Sequence, residues 1–357
     1  MSDGMVEIDG SIGEGGGQII RTALSLSALL GVPFRIENIR KNRPKPGLRA
    51  QHLAAVRAVR AVSHARVEGD EIGSTRLIFE PGEPAGGDYR FEIGTAGATP
   101  LVLQALLPPL LFADARSHVS LSGGTHVPIS PTFHFVQKVF LAFLSEIGIE
   151  ARASIRTYGF YPRGGGEIEA DIMPFGPRPL KSFTPPENKA IWAVRGVSAT
   201  ANLPLSIAER QKSAALEALK DLSASAEIGV ISVPSPGAGT FLFLEAEAGV
   251  CRAGFSSIGV RGKRVEKVGQ EAAAGLLEYC HRQGCVDPHL ADQIVPYLAL
   301  AKGTSSFTTT DVTAHLLTNL AVIDRFVHSR SNVEGKIGSP GRITIEGAGY
   351  AGRGGRG

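Results

Sequence analysis

Apolar positions along this chain fall into short blocks whose spacing changes from block to block. Short β-branched or alternating runs predict strands at Val6–Ile8, Phe34–Ile39, Arg76–Glu80, Tyr89–Glu92, His118–Ser122, Ile149–Ser154, Gly166–Asp171 and Arg342–Glu346. Between them lie longer segments with small and apolar residues over several helical turns, each opening on glycine or an acid that leaves backbone N–H groups free. GEGGGQ opens RTALSLSALL within Gly13–Leu30, GTAGATP opens LVLQALLPPLLF within Gly94–Phe112, and DPHLADQ near Asp287 opens IVPYLALAKG. A glycine-rich turn, an apolar helix and a strand that recur in this way predict a duplicated βαβ-type unit. Around Phe183–Pro186 the theme stops. From about Ala190 to Val286 a different block predicts a strand at Ala190–Val197, a helix at Pro204–Ser223, a strand at Gly239–Ala246 and a helix at Arg264–Gln283. That is a small inserted α/β domain. The predicted organisation is a repeat domain over residues 1–185, an insert over 186–286, the rest of the repeat domain over 287–346, and a disordered Gly/Arg tail over 347–357, GAGYAGRGGRG.

Composition narrows this α/β (α+β) reading only a little. The chain has 357 residues, 43% apolar and 20% charged, enough for more than one folding unit with a sizeable core. The 44 glycines cluster between apolar segments, as turns do. A net charge of +3 is too weak to mark a polyanion-binding surface, so any such site must come from local clustering. Cys251, Cys280 and Cys285 form no even disulfide framework and suit a reducing compartment. Cys280, His281, Cys285 and His289 match none of the usual paired zinc-ligand spacings. The N-terminus lacks a basic segment followed by a long apolar one, and no apolar run reaches a membrane span of about 20 residues. The longest run, Thr99–Ala113, is cut by Pro108-Pro109. The expectation is a cytoplasmic protein with no membrane partner.

Local clusters carry the candidate chemistry. In Asp9–Arg21, DGSIGEGGGQIIR, glycines surround Glu14 and let backbone approach a ligand at a helix start. No Gly-Lys-Ser/Thr follows, so this is no Walker A loop. On its own residues the segment is a helix start with a dipole-favoured acid. In Arg35–His52, RIENIRKNRPKPGLRAQH, six cations crowd a stretch whose Pro44 and Pro46 exclude a continuous helix. A rigid loop studded with arginine forks suits phosphate oxygens. Tyr158–Gly166, YGFYPRGGG, is either a tight turn or a base-stacking surface beside Arg163. In Asp311–Asn319, DVTAHLLTN, His315 heads an apolar helical run among Thr313, Thr318 and Asn319. An imidazole there is mostly neutral at physiological pH, and its polar neighbours can fix one ring nitrogen and present the other.

Taken together, GEGGGQIIRTALSLS, IRKNRPKPGLRAQH, GDYRFEIGTAGATPLVLQ, LSGGTHVPISP, YGFYPRGGGE, HLADQ and TAHLLTN resemble the RNA 3′-terminal phosphate cyclases from about Ile8 to Val327. The resemblance implies three repeated βαβαββ-type units with a smaller inserted α/β domain between the later repeats. It implies an ATP-dependent reaction with Mg²⁺ or Mn²⁺ on an RNA bearing a 3′-phosphate end. In it a histidine takes up AMP, passes it to the 3′-phosphate, and the 2′-OH closes a 2′,3′-cyclic phosphate. By position, the resemblance makes His315 the nucleophile and Glu14 the metal-binding acid. Arg21, Arg40, Arg43 and Gln51 take phosphate-holding positions, and Gln104, Pro131, Leu290, Ala291, Asp292 and Gln293 lie around the nucleoside of ATP. His289 stands where the family often has a tyrosine that stacks on adenine opposite the proline; imidazole still stacks, with altered affinity. The nearest approach to the KxDG of lysine-dependent ligases is Glu7-Ile8-Asp9-Gly10, with an acid in place of the lysine. Two other readings share the architecture: a noncatalytic, ribosome-assembly cyclase-like protein, which lacks the histidine, and an enolpyruvate-transferase-like enzyme, which forms no histidine–AMP.

Overall fold

The computed structural model describes residues 4–353 apart from Thr95 and Asn188. Its first unit runs β1 (Val6–Asp9), α1 (Gly17–Leu30), β2 (Phe34–Glu37), α2 (Ala50–Ser63), β3 (Arg66–Glu68) and β4 (Leu77–Glu80). The sheet order is β1-β2-β4-β3, with β1 parallel to β2 and the other pairs antiparallel. A second unit repeats it: β5 (Asp88–Glu92), α3 (Thr99–Leu111), β6 (Ser117–Gly123), then α4 (Phe133–Phe135), a π turn (Val136–Phe140) and α5 (Leu141–Glu146) as one helical run, β7 (Ala151–Thr157) and β8 (Gly166–Ile172). Its order, β5-β6-β8-β7, is the same, again with the first pair parallel. Helix α3 carries on through Pro108 and Pro109 rather than ending there; the Ala105 carbonyl that Pro109 leaves without an N–H donor accepts from the Ser25 hydroxyl of α1 at 2.9 Å.

The insert follows as β9 (Ala193–Ala201), α6 (Leu205–Leu219), β10 (Ser225–Ser232), β11 (Gly239–Glu247), β12 (Ala253–Ile258) and α7 (Val265–His281). Its sheet, β10-β9-β11-β12, is buried on both faces along β11. Leu242 and Leu244 join a core with Leu276 and Tyr279 of α7, whereas Phe241 and Phe243 join the main core.

The third unit runs α8 (Pro288–Leu300), β13 (Lys302–Thr309), α9 (Ala314–Phe326), β14 (Arg330–Glu334) and β15 (Gly341–Ala348). In place of a first strand, the segment 180–183 before the insert runs beside β13 through an isolated bridge. Lys181 bridges parallel to Lys302, Lys302 N–H donates to Leu180 O at 2.9 Å, and Ser306 N–H donates to Phe183 O at 3.0 Å. The insert therefore occupies the connection from that segment to α8, the counterpart of the Gly13–Gly16 loop in the first unit. Helices of the repeats pack on one another, α1 against α2, α3 and α9, and α8 against α9. No helix among the described residues is long and apolar enough to cross a membrane.

Two expectations are corrected here. Cys251 and Cys285 are joined in a disulfide with Cα atoms 5.3 Å apart, leaving Cys280 free. The pairing ties the turn after β11 to the approach to α8, a juxtaposition made by packing rather than by sequence spacing. It also withdraws Cys285 from any metal set. The tail is ordered as far as Arg353, with residues 354–357 outside the described set. Tyr350 Oη donates to Leu29 O at 3.0 Å, and Arg353 donates to Leu29 O at 3.1 Å, to Gly82 O at 2.9 Å and to Ala28 O. The last carbonyls of a helix lack intrahelical partners and sit at its negative end, so an arginine there completes α1.

Candidate active site

Local sequence places each functional side chain at the end of an element. Gly13 takes the left-handed conformation (φ +57°) and sits so close to Thr318 that a Cβ there would run into the hydroxyl. The glycine-rich loop can thereby lie against the first turns of α9. Thr313 caps that helix, its hydroxyl accepting from Leu316 N–H at 3.0 Å, and His315 projects from the first turn. One turn on, buried Asn319 clasps three helices: its Oδ1 accepts from the Thr22 hydroxyl of α1 at 2.7 Å, and its Nδ2 donates to Asp292 O of α8 at 2.6 Å. Asp287 caps α8, accepting from His289 N–H at 2.8 Å and Leu290 N–H at 2.9 Å.

These elements enclose a cleft of about 820 Å³. Along it lie Glu14, Arg21, Arg40, Arg43, Gln51, Gln104, Pro131, His289, Asp292, Gln293 and His315, residues drawn from 14 to 315 of the sequence. Leu290 and Ala291 do not line it; both are buried on the core side of α8. Within the cleft His315 Nε2 lies 3.0 Å from Glu14 Oε2, and Arg43 Nη2 lies 3.7 Å from the same oxygen. Burial lowers the His315 pKa, and Arg21 and Arg43 act in the same direction against the opposing pull of Glu14. The net direction favours the neutral ring. The lining also includes the apolar Leu101, Pro131, Phe135 and Phe140, and Gln104 is hydrogen-bonded to Gln293.

The basic loop is shaped as expected, without regular structure between β2 and α2, but its cations divide their work. Arg40 (φ +54°) turns back on its own loop, donating to Lys45 O at 2.7 Å and Gly47 O at 3.0 Å. Arg35 pairs with Glu7 at 2.8 Å on the outer face and takes no part in the cleft. Enclosure brings the Arg21 pKa down to about 10, with Asp292 opposing, so it stays a cation. Asp292 is held well above the usual carboxylate range by burial and by the charge of Asp287, against the pull of Arg21.

The chain matches the RNA 3'-terminal phosphate cyclase family model over residues 12–333. It belongs to the RNA 3′-terminal phosphate cyclase family. Proteins named RNA 3'-terminal phosphate cyclase resemble it closely: one from Methylococcus capsulatus is 45% identical over 96% of this chain and 97% of its own. Others from Pyrococcus furiosus (42% identical, over 96% and 98%) and Archaeoglobus fulgidus (44%, over 93% and 98%) are similar across nearly their full lengths.

Several cleft residues carried no individual assignment from the sequence, although Arg49 is one of the six cations of the basic loop. Arg49 and His52, at the end of the basic motif, both line the cleft; His52 Nδ1 accepts from Arg49 N–H at 3.1 Å. Burial and the charges of Arg21, Arg40 and Arg49 push His52 down to about 3. Gly254 and Ser256 come from β12 of the insert, and Ser256 Oγ lies 2.9 Å from Thr132 Oγ1. No local motif marks them. In the YGFYPRGGG segment Tyr158 and Phe160 are buried against His126 and Phe241, while Tyr161, Pro162 and Arg163 are exposed.

Proposed function

We propose that this protein converts the 3′-terminal phosphate of RNA to a 2′,3′-cyclic phosphate with ATP, through a covalent AMP on His315. The observation that carries the reading is a cleft-lining imidazole 3.0 Å from a carboxylate that an arginine also approaches. Nε2 of His315 attacks the α-phosphorus of ATP; the N–P bond forms, the bond to the β-phosphate oxygen breaks, and pyrophosphate leaves. A ring nitrogen and a carboxylate at 3.0 Å share a hydrogen, so this contact must open, with the ring hydrogen on Nδ1, before Nε2 offers its lone pair. An oxygen of the RNA 3′-phosphate then displaces His315 from the AMP phosphorus, giving RNA-3′-pp-5′-A. Finally the 2′-oxygen attacks the adjacent 3′-phosphorus, loses its proton, and expels AMP. That last step is intramolecular and gains from proximity.

Arg21, Arg43 and Gln51 are assigned to phosphate oxygens, where guanidinium forks offset the charge that develops on pyrophosphate. Arg40 joins them after holding its loop. Pro131 and His289 are assigned to the faces of the adenine, and Gln104, Gln293 and Asp292 to the nucleoside. Glu14 fits a hard divalent ion, Mg²⁺ or Mn²⁺: it is an accessible carboxylate among phosphate-binding cations, and such ions bind through few carboxylates with phosphate oxygens and water. When bound, the ion polarises a phosphoryl oxygen as a Lewis acid.

Incubation with α-³²P-labelled ATP and either metal, then denaturing electrophoresis, tests the reading. An acid-labile, alkali-stable label is expected on the wild type and absent from His315→Ala. Label that persists in the variant rules out His315, and no label under either metal overturns the covalent mechanism.

A further inference from the structure

The segment between β6 and α4 carries an oddity that the proposed chemistry leaves unused. Ile129 holds φ +60°, the left-handed region that β-branched residues avoid because the Cβ substituents crowd the backbone. It is not kept there by packing, since its side chain is 103% exposed, the most exposed large apolar residue described. Pro128 and Pro131 stiffen the segment on either side, and the Ser130 hydroxyl donates to Val127 O at 3.0 Å. Strain of this kind persists where surroundings impose it, and it gathers at ligand clamps. Ile129 also lines the cleft, two residues from Pro131. An exposed isoleucine is ordinary and so is a tight turn, but an isoleucine strained into solvent at the rim of a nucleotide-sized cleft needs an apolar partner from outside the chain.

We infer that Ile129 is a clamp for a nucleobase, its side chain packing on the base when the cleft is filled. The inference rests on the cyclase reading, which brings two nucleosides to this cleft, those of ATP and of the RNA end. Both present the same flat apolar face. The strain is the cost of aiming an apolar side chain at the ligand.

The test uses the full chain and separates the two bases. Ile129→Asn suits the left-handed backbone and removes the apolar contact, whereas Ile129→Leu keeps an apolar side chain. KM for ATP is read in the RNA-free labelling of the protein, KM for RNA in cyclisation of an oligonucleotide 3′-phosphate, and Tm by thermal melting. Covering about half of an isoleucine side chain predicts that Ile129→Asn raises one KM about five-fold with little change in kcat. Tm should stay or rise by about 1–3 °C as strain is released, and Ile129→Leu should hold KM near the wild type. A rise confined to ATP assigns the base to ATP, and a rise confined to RNA assigns it to the RNA end; either supports the clamp. Unchanged KM values for both, or a fall in Tm with equal losses in Asn and Leu variants, overturn it. Absence of label on the wild type would instead overturn the cyclase reading, and the clamp with it.

Discussion

The clasp at Asn319 should decide whether His315 is held in place or merely exposed. In Asn319→Ala, the Thr22 hydroxyl loses the acceptor it meets at 2.7 Å, and Asp292 O loses a donor at 2.6 Å. Both groups are buried, with Thr22 8% and Asp292 8% exposed, so water replaces the lost partners poorly. An unpaired buried polar group costs about 1–3 kcal/mol, and two of them put the variant about 2–6 kcal/mol below the wild type. That is a large part of a total of about 5–15 kcal/mol, so urea unfolding should show a clear shift in midpoint at unchanged slope. His315 sits one turn before Asn319 on α9, so loosening the clasp also shifts the nucleophile. A displacement of about 1 Å costs on the order of 100-fold in rate. Under conditions where the variant is folded, labelling by α-³²P ATP should therefore slow well beyond any loss of folded protein. A Thr22→Val, Asn319→Ala cycle should give a coupling of at least about 0.5 kcal/mol. A shift under about 0.5 kcal/mol with labelling at the wild-type rate would refute the clasp.

Other expectations follow from the same geometry. His52 is excluded from protonation down to about pH 3 in the folded state but takes up a proton near pH 6.5 when unfolded, so its contribution is complete above about pH 6.5 and is lost as pH falls. His52→Gln should make the stability difference between pH 7 and pH 5, read from urea midpoints, smaller by about 1–2 kcal/mol; an unchanged difference would place His52 in water. Gly13→Ala forces a left-handed alanine whose Cβ meets Thr318, costing at least about 1–2 kcal/mol by thermal melting. Adding Thr318→Ala should restore only the steric part, and full rescue would show that the backbone conformation costs nothing. A chain ending at Ala348 loses the Tyr350 and Arg353 bonds to α1 and should be destabilised by about 2–3 kcal/mol; an unchanged melt would return the tail to the disordered reading.

What the sequence by itself determined is whatever a few consecutive residues can encode. Glycine next to Glu14, prolines within a run of cations, and His315 at the start of an apolar helical run are local facts. Each needs only backbone sterics, charge or periodicity to be read, and each motif lands on the element start or loop predicted for it. The family resemblance gathered those motifs into one site. What only the tertiary structure decided depends on residues far apart in the chain. The segment in place of a first strand in the third unit is separated from β13 by the insert, as in the contact of Phe183 with Ser305 at a separation of 122 residues, so no local period betrays it. The Cys251–Cys285 pair, the clasp of Asn319 on Thr22 and Asp292, and the entry of Ser256 into the cleft wall arise because buried polar and apolar surfaces must find complements across elements. Arg353 likewise has no local sign that it will serve the last carbonyls of α1; only packing brings the tail to the helix end that lacks donors.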